Sequence, residues 1–295
     1  MTTVRLAAPA KINLHLEVLG RRDDGFHAIE TVFQTIDLHD EVVVRLVAQA
    51  GITLTVAGAD LPADATNLAW RAADAWLGRR PGTGIAIELI KRIPAGAGLG
   101  GGSSDAAAVL RALQSLAEHP LPPAELAELA AGLGSDVPFF LIGGTAHAVG
   151  RGEQLTPLPD LPAVALTILR PAAECPTPAV YRGLNEDERG PRDARGAAWW
   201  ACRLVEDLPS CLHNRLTGPA SRLSAPVADL LAWLVRSGVP HLMSGSGSTC
   251  FALAHLDPPP GVRAWRTGFR PRARLDALTA DGAYRPPPPV PRPPS

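Results

Sequence analysis

Between Pro94 and Asp105 the chain reads Pro-Ala-Gly-Ala-Gly-Leu-Gly-Gly-Gly-Ser-Ser-Asp, with five glycines in the seven positions 96–102. Glycine gives up more conformational freedom on folding than any other residue and packs no side chain, so such a run builds neither a core nor a regular strand. Its use is to let backbone approach a ligand closely. The run follows a strand-like segment, Ile85–Ile90, and precedes a helix-like one from about Ser104 to Leu116. Backbone N–H groups at a helix N-terminus, with the positive end of the helix dipole behind them, form an anion cradle. Gly96, Ala97, Gly98, Leu99, Gly100, Gly101 and Gly102 make the cradle and Pro94 and Ala95 lead into it. Ser103 and Ser104 are expected to donate hydroxyls to phosphate oxygens. A tight turn capped by Ser104 or Asp105 is the blander alternative, and it leaves most of the glycines without a reason.

Two phosphate-binding patterns can be compared with this loop. Walker A needs Gly-Lys-Ser/Thr at its end, and no lysine follows these glycines, which excludes a P-loop NTPase. Gly96-x-Gly98-x-x-Gly101 does satisfy the dinucleotide fingerprint, and an NAD(P)-binding oxidoreductase is the alternative from another class. That fingerprint opens a unit in which helix leads to a second strand and an acidic residue about 20 positions on. Here the helix runs instead into His119-Pro120-Leu121-Pro122-Pro123.

Along the chain, apolar alternation at Ile12, Leu14, Leu16 and Val18 predicts an extended segment over 4–20. A polar turn at Arg21–Gly25 follows, then a mixed run from Phe26 to Leu38. Glu41–Val47 and Ile52–Val56 read as short strands, and their adjacency suggests a hairpin. Helices are expected at Asn67–Gly78, Pro123–Ala131 and Val227–Ser237, strands at Val164–Leu169 and Thr249–Ala254, and a loop over 183–198. Strands and helices do not alternate one for one, so the expected class is α+β, not a doubly wound parallel sheet. Seven prolines among residues 286–295 predict a disordered tail over 281–295, either inert or a docking peptide for a proline-recognising partner.

The 295 residues carry 28 Lys+Arg against 29 Asp+Glu, a formal net charge of -1. That balance offers no basic face for nucleic acid. No apolar run reaches the roughly 18 residues of a spanning helix. The start lacks a basic stretch followed by an apolar one, so a cytoplasmic protein without membrane partners is expected. Cys175, Cys202, Cys211 and Cys250 show no C-x-x-C pairing and no histidine spacing for zinc, so reduced thiols and no metal site are expected. Of the 28 basic residues only Lys11 and Lys91 are lysines. Lysine is a compact point charge where arginine is a planar fork, so a lysine kept in an arginine background points to a site that needs its shape. Asparagine is as scarce, with Asn13, Asn67, Asn185 and Asn214 alone.

Three motifs in order carry a family resemblance: Pro9-Ala-Lys11-Ile-Asn13, the Pro94–Ser104 loop, and a late turn, Met243-Ser-Gly-Ser-Gly-Ser-Thr-Cys250. Together they resemble the GHMP kinases, ATP-dependent kinases of small alcohols, over roughly residues 6–255. Gly25-Phe26-His27, Gly98–Asp105 and Gly134-Ser-Asp136-Val-Pro-Phe-Phe140 look like the branch whose substrate is a cytidine diphosphate-linked methylerythritol. Sibling kinases of the mevalonate or homoserine type share the loop and stand as alternatives, as does a nucleotide-binding member without turnover.

The resemblance implies a two-lobed fold. Residues 1–155 would form an N-terminal lobe of the ribosomal protein S5 domain 2-like type holding the phosphate loop, and 156–280 a C-terminal α/β lobe, in a monomer or homodimer. It implies ATP as co-substrate with Mg²⁺ on its phosphates, the γ-phosphoryl passing to a tertiary hydroxyl. Asp136 resembles the catalytic base, with Lys11 keeping it ionised and stabilising the transferring charge. An Asx turn before Pro138 is the other reading of Asp136. Asn67 and Lys91 resemble residues lining the adenosine pocket, and Asn13 would contact the acceptor. His27 would hydrogen-bond the cytosine between Phe26 and Tyr181. Phe26 stands where the family more often has tyrosine, and Arg215, after Leu212-His-Asn214, where it usually has aspartate. That second departure leaves the role of Asn214 open. The late turn is expected to support the cleft between lobes.

Overall fold

The alternation that begins at Ile12 builds one arm of the longest ladder in the molecule. β1 (Thr3–Arg21) runs antiparallel to β2 (His27–Val47) in a computed structural model that describes residues 3–185, 188–189, 194–203 and 205–277. The proline tail lies outside those residues. The segments expected separately at 26–38 and 41–47 are one 21-residue strand. Its register against β1 shifts between Pro9 and Lys11, between Asn13 and His15, and between Val18 and Gly20. Such bulges bend a strand and re-aim its side chains, and the first two bracket Lys11 and Asn13.

β3 (Gly51–Ala57) does not hairpin with β2. After α1 (Leu68–Arg79), β4 (Gly84–Ile90) inserts between them, antiparallel to β2 and parallel to β3, giving the order β3-β4-β2-β1. Burial explains the order. Ile85, Ile87 and Leu89 of β4 are almost wholly enclosed and need partners on both sides, whereas β3 buries only Leu54 and tolerates the edge. α2 begins at Gly101, three residues before the expected start, and ends at Leu116. Its run Ala106–Ala108 and Ala112 presents no bulk, so the helix lies close on the sheet, over Phe33, Val42 and Val44. α3 (Pro123–Leu133) and α4 (Val137–Ile142) complete that layer, and β5 (Thr145–Val149) adds to β2 with β6 (Gln154–Pro157) beyond it. α2 thus leads to helices and not to a parallel strand, which removes the dinucleotide-fold alternative.

β7 (Ala165–Arg170), α5 (Thr177–Arg182), α6 (Gly196–Ala201) and α7 (Leu208–Cys211) follow, and α6 begins inside the segment expected as loop. β8 (His213–Asn214) joins the first sheet, parallel to β1. After α8 (Thr217–Leu223) and α9 (Ala225–Ser237) come β9 (His241–Met243), β10 (Cys250–Ala252) and β11 (Arg263–Gly268). A second, all-antiparallel sheet has the order β11-β7-β10-β9. Two mixed layers with segregated sheets make the fold α+β, as expected.

Candidate active site

Gly100 sits at the N-cap of α2 in the left-handed conformation, φ 71°, and no side chain caps the helix. The N–H groups of the first turn therefore have no intrahelical partner and stand at a cleft of about 380 Å³. That cleft is lined by every residue from Pro94 to Ser103, with Asn67 and Lys91. Two of the glycines are fixed by their neighbours. A Cβ on Gly98 would lie 2.6 Å from the Ser244 carbonyl oxygen, and one on Gly100 would lie 2.8 Å from the Phe140 ring and 3.2 Å from Lys11 Cγ. Ser104 departs from expectation. The helix turns about 100° per residue, so while Ser103 faces the cleft Ser104 is buried behind it, with no partner for its hydroxyl among the described residues.

Lys91 lines the same cleft, but its ammonium is engaged elsewhere. It donates to Asp40 and to Asp105, all three side chains being almost fully enclosed. Asp40 also accepts from the backbone N–H of Arg92 and, at 2.8 Å, of Ile93. Burial, reinforced by Asp40, pushes the Asp105 carboxyl up to about 8 despite Lys91. Burial opposes the Lys91 charge, yet the two carboxylates hold that ammonium above its ordinary value. Lys91 is thus a brace under the strand that feeds the loop. Asn67 likewise works within the fold: its Oδ1 accepts from Ala69 N–H at 3.0 Å, capping α1, and its amide donates to the Pro62 carbonyl at 2.8 Å.

On the other side of Gly98 and Gly100, which line both spaces, lies a cavity of about 200 Å³. Lys11, Asn13, Asp136 and Tyr181 converge there. Lys11 Nζ donates to Asn13 Oδ1 at 2.8 Å and stands 3.7 Å from Asp136 Oδ2. Asn13 Nδ2 donates to Thr31 Oγ1 at 2.8 Å, and Thr31 to the His15 carbonyl at 2.6 Å, which locks the amide's orientation. Burial lowers the Lys11 pKa and the Asp136 carboxylate opposes that shift. Asp136 occupies the N-cap position of α4, yet its side chain makes no capping bond. Its carboxylate is left to Lys11 and the cavity, against the Asx-turn reading. Burial, with Asp136 adding to it, pushes the Tyr181 phenol up to about 12, so it stays protonated.

The aromatic residues stand differently from a simple sandwich. The His27 ring lies 4.8 Å from Tyr181, while Phe26 is 53% exposed and carries the Arg151 guanidinium 5.0 Å from its centroid. Arg151 itself lines the cavity. It is a site residue that the motifs do not mark; an arginine held between Gly150 and Gly152 is the one local signal for it. Thr177 and Ser246, which share a hydrogen bond of 2.8 Å, also line the cavity. The late turn between β9 and β10 rests on the loop, Ser244 Oγ donating to the Gly98 carbonyl at 3.2 Å. Asn214 holds that turn, donating to the carbonyls of Met243 at 2.7 Å and Gly245 at 2.8 Å. Arg215, the departure noted after Asn214, pairs with both carboxylate oxygens of buried Glu17 at 2.7 and 2.6 Å.

A glycine cradle at a helix start, with an acid–lysine pair across it, is the layout of a small-molecule kinase. Residues 67–144 match the GHMP kinases N terminal domain and residues 204–269 the GHMP kinases C terminal domain. A 4-diphosphocytidyl-2-C-methyl-D-erythritol kinase of Pelotomaculum thermopropionicum is 45% identical over 259 residues, 83% of this chain and 87% of that one. One of Deinococcus radiodurans is 44% identical over 255 residues, 84% of this chain and 83% of that one. A crystal structure of 4-(cytidine 5'-diphospho)-2C-methyl-D-erythritol kinase superposes with a TM-score of 0.75 at 39% identity, covering 90% of this chain and 99% of that one. Homoserine kinase from Cytophaga hutchinsonii shares the fold, at TM-score 0.66 and 21% identity over 90% of this chain and 95% of that one. The chain belongs to the GHMP kinases and is an ATP-dependent small-molecule kinase. Its branch is that of the 4-diphosphocytidyl-2-C-methyl-D-erythritol kinases.

Proposed function

We propose that this kinase transfers the γ-phosphoryl group of ATP to the 2-hydroxyl of 4-diphosphocytidyl-2-C-methyl-D-erythritol, in the non-mevalonate route to isoprenoid precursors. The observation that supports this most directly is the meeting of two spaces at Gly98 and Gly100, one an uncapped helix start and the other holding Asp136 beside Lys11. In this reading the N–H groups of Gly101, Gly102 and Ser103 bind phosphate oxygens. Asp136 accepts the acceptor's hydroxyl proton as its oxygen attacks the γ-phosphorus. The bond from that phosphorus to the bridging oxygen breaks, and ADP leaves with the electron pair. Lys11, 3.7 Å from Asp136, balances charge on the attacking oxygen and on the transferring group. Asn13, locked through Thr31, orients the acceptor.

Mg²⁺ would arrive on the triphosphate and neutralise it; among the described residues no cluster of three or more His, Cys, Asp or Glu side chains is placed to cage an ion. Tyr181, His27 and Phe26 would take the cytosine, and Arg151, the second cation in the lining after Lys11, the diphosphate. The aromatic group favours a cytidylyl acceptor over mevalonate or homoserine, which have no ring to stack. The same reading places a lobe boundary at about 155, supported by the stretch without helix or strand between Pro157 and Ala165, with the second lobe reaching about 280. A cytoplasmic setting goes with ATP supply and four free thiols, and no described helix is long and apolar enough to cross a membrane.

Coupled ADP release, measured with the cytidylyl acceptor beside mevalonate, homoserine and galactose, tests the reading. Turnover is expected with the first alone, and Asp136→Ala should lower it about 10³-fold. Preference for any of the other three would overturn the assignment.

A further inference from the structure

We propose that the segment following β11, residues 269–277, completes the active-site scaffold, and that it acts through Arg111 as the positioning residue setting the spacing of Lys11 and Asp136. The segment leaves the second sheet at Gly268 and returns to the first. Arg270 N–H donates to the Thr35 carbonyl at 2.8 Å, and Thr35 Oγ1 to the Arg270 carbonyl at 2.7 Å. The Arg270 side chain is wholly buried. It gives Nε to the Arg274 carbonyl at 2.9 Å and Nη2 to those of Leu275, at 3.3 Å, and Ala277, while Nη1 pairs with Asp37 at 3.2 Å. The segment is therefore wound around a guanidinium. That folds Leu275 against Gly143, at the end of α4, so closely that a Cβ there would lie 2.6 Å from it. It also delivers Asp276 to Arg111.

Arg111 rises from α2, the helix that starts in the phosphate loop. Its Nε donates to Asp276 Oδ1 at 2.7 Å, its Nη2 to the Ala7 carbonyl at 3.2 Å, and its Nη1 to the Phe140 carbonyl. Ala7 lies four residues before Lys11 on β1, and Phe140 four residues after Asp136 on α4. One side chain thus ties together the backbones that carry the phosphate loop, the lysine and the acid. Only 11% of the Arg111 side chain is exposed, and Asp276 is its counter-ion. Without that carboxylate a buried cation faces only neutral acceptors and is drawn toward water, releasing the two carbonyls. A displacement near 1 Å between reacting groups is enough to slow a transfer step about 10²-fold.

The test rests on the roles given to Lys11 and Asp136 above. Asp276 is outside both cavities and its side chain is 48% exposed, so Asp276→Ala should fold. Expected is a kcat about tenfold lower, a single-turnover rate slowed by the same factor, and KM for ATP and acceptor within twofold. Asp276→Glu should recover part of kcat, and Arg111→Lys, which keeps the charge but not the fork, should not. A purely structural contact would lower the melting temperature and leave kcat per folded enzyme unchanged. A kcat within twofold of the parent in Asp276→Ala, or an effect confined to KM, overturns the proposal. If the parent turns over no acceptor, the functional reading fails instead, so the two failures are distinguishable.

Discussion

Two lysines survive among 26 arginines, and both are buried, at 4% and 7% exposure. Lys11 must place a point charge between Asn13 Oδ1 and Asp136 while its stem passes Phe33, with Nζ 5.2 Å from that ring's centroid. A guanidinium is too wide for that space and spreads its charge. Lys11→Arg is therefore expected to lower kcat at least 10²-fold while the protein stays folded, read by steady-state kinetics with circular dichroism. Near-normal turnover would mean that charge alone suffices. His15, on the same strand, lies 5.2 Å from Trp200 and from His213, and burial, with His213 adding to it, pushes its pKa from 6.5 down to about 4. The folded chain keeps the ring neutral while the unfolded chain protonates it near 6.5. Stability from this group is thus complete above that pH and is lost as pH falls toward 4. Between pH 7 and pH 4.5 urea unfolding should show a loss about 2–3 kcal/mol larger than in His15→Phe. Superimposable profiles would mean that His15 carries its proton in the fold.

At the scale of elements, the start of α2 and the bulges of β1 decide the site. Gly100 combines φ 71° with a Phe140 ring 2.8 Å from where a Cβ would stand. Gly102, two residues on, meets nothing nearer than Leu68 Cδ1 at 3.7 Å. Gly100→Ala should lower the melting temperature by about 5 °C and raise KM for ATP, since strain and clash fall on the phosphate loop. Gly102→Ala should melt within about 2 °C of the parent. Equal melting of the two would show that the loop is free to shift. The loop itself was legible in the sequence, because glycine content and a following helix are local properties. The earlier start of α2 was not, since helix propensity argues against glycine in a first turn and the packing of Ala106–Ala108 overrides it. Nor was the placing of β4 between β2 and β3, which depends on how much of each strand the finished sheet can bury.

For the whole molecule, the site depends on joining the two sheets. β8 pairs with β1, and from it Asn214 holds the carbonyls of Met243 and Gly245 while its Oδ1 accepts from Leu216 N–H at 2.9 Å. Asn214→Ala leaves buried carbonyls without donors, at a cost of about 2–3 kcal/mol. Gly245 borders the cavity of Lys11 and Asp136, proposed to take the acceptor, and not the cleft at the start of α2. The variant should therefore raise KM for the acceptor more than that for ATP, read by paired titrations; equal rises would place the turn outside acceptor binding.

The sequence by itself determined the glycine loop and the kinase family, because each is carried by short motifs whose chemistry needs only near neighbours; it reached the pairing of Lys11 with Asp136, far apart in the chain, only through the family resemblance. Tertiary structure decided what those motifs touch. It turned Ser104 into the core, tied Lys91 to Asp40, 51 positions away, lifted Arg151 into the cavity of Lys11 and Asp136, and brought Asp276 back to Arg111. Such partners are chosen by which arrangement of the whole chain buries its apolar surface while leaving each buried charge an opposite charge. No local stretch of sequence contains that sum.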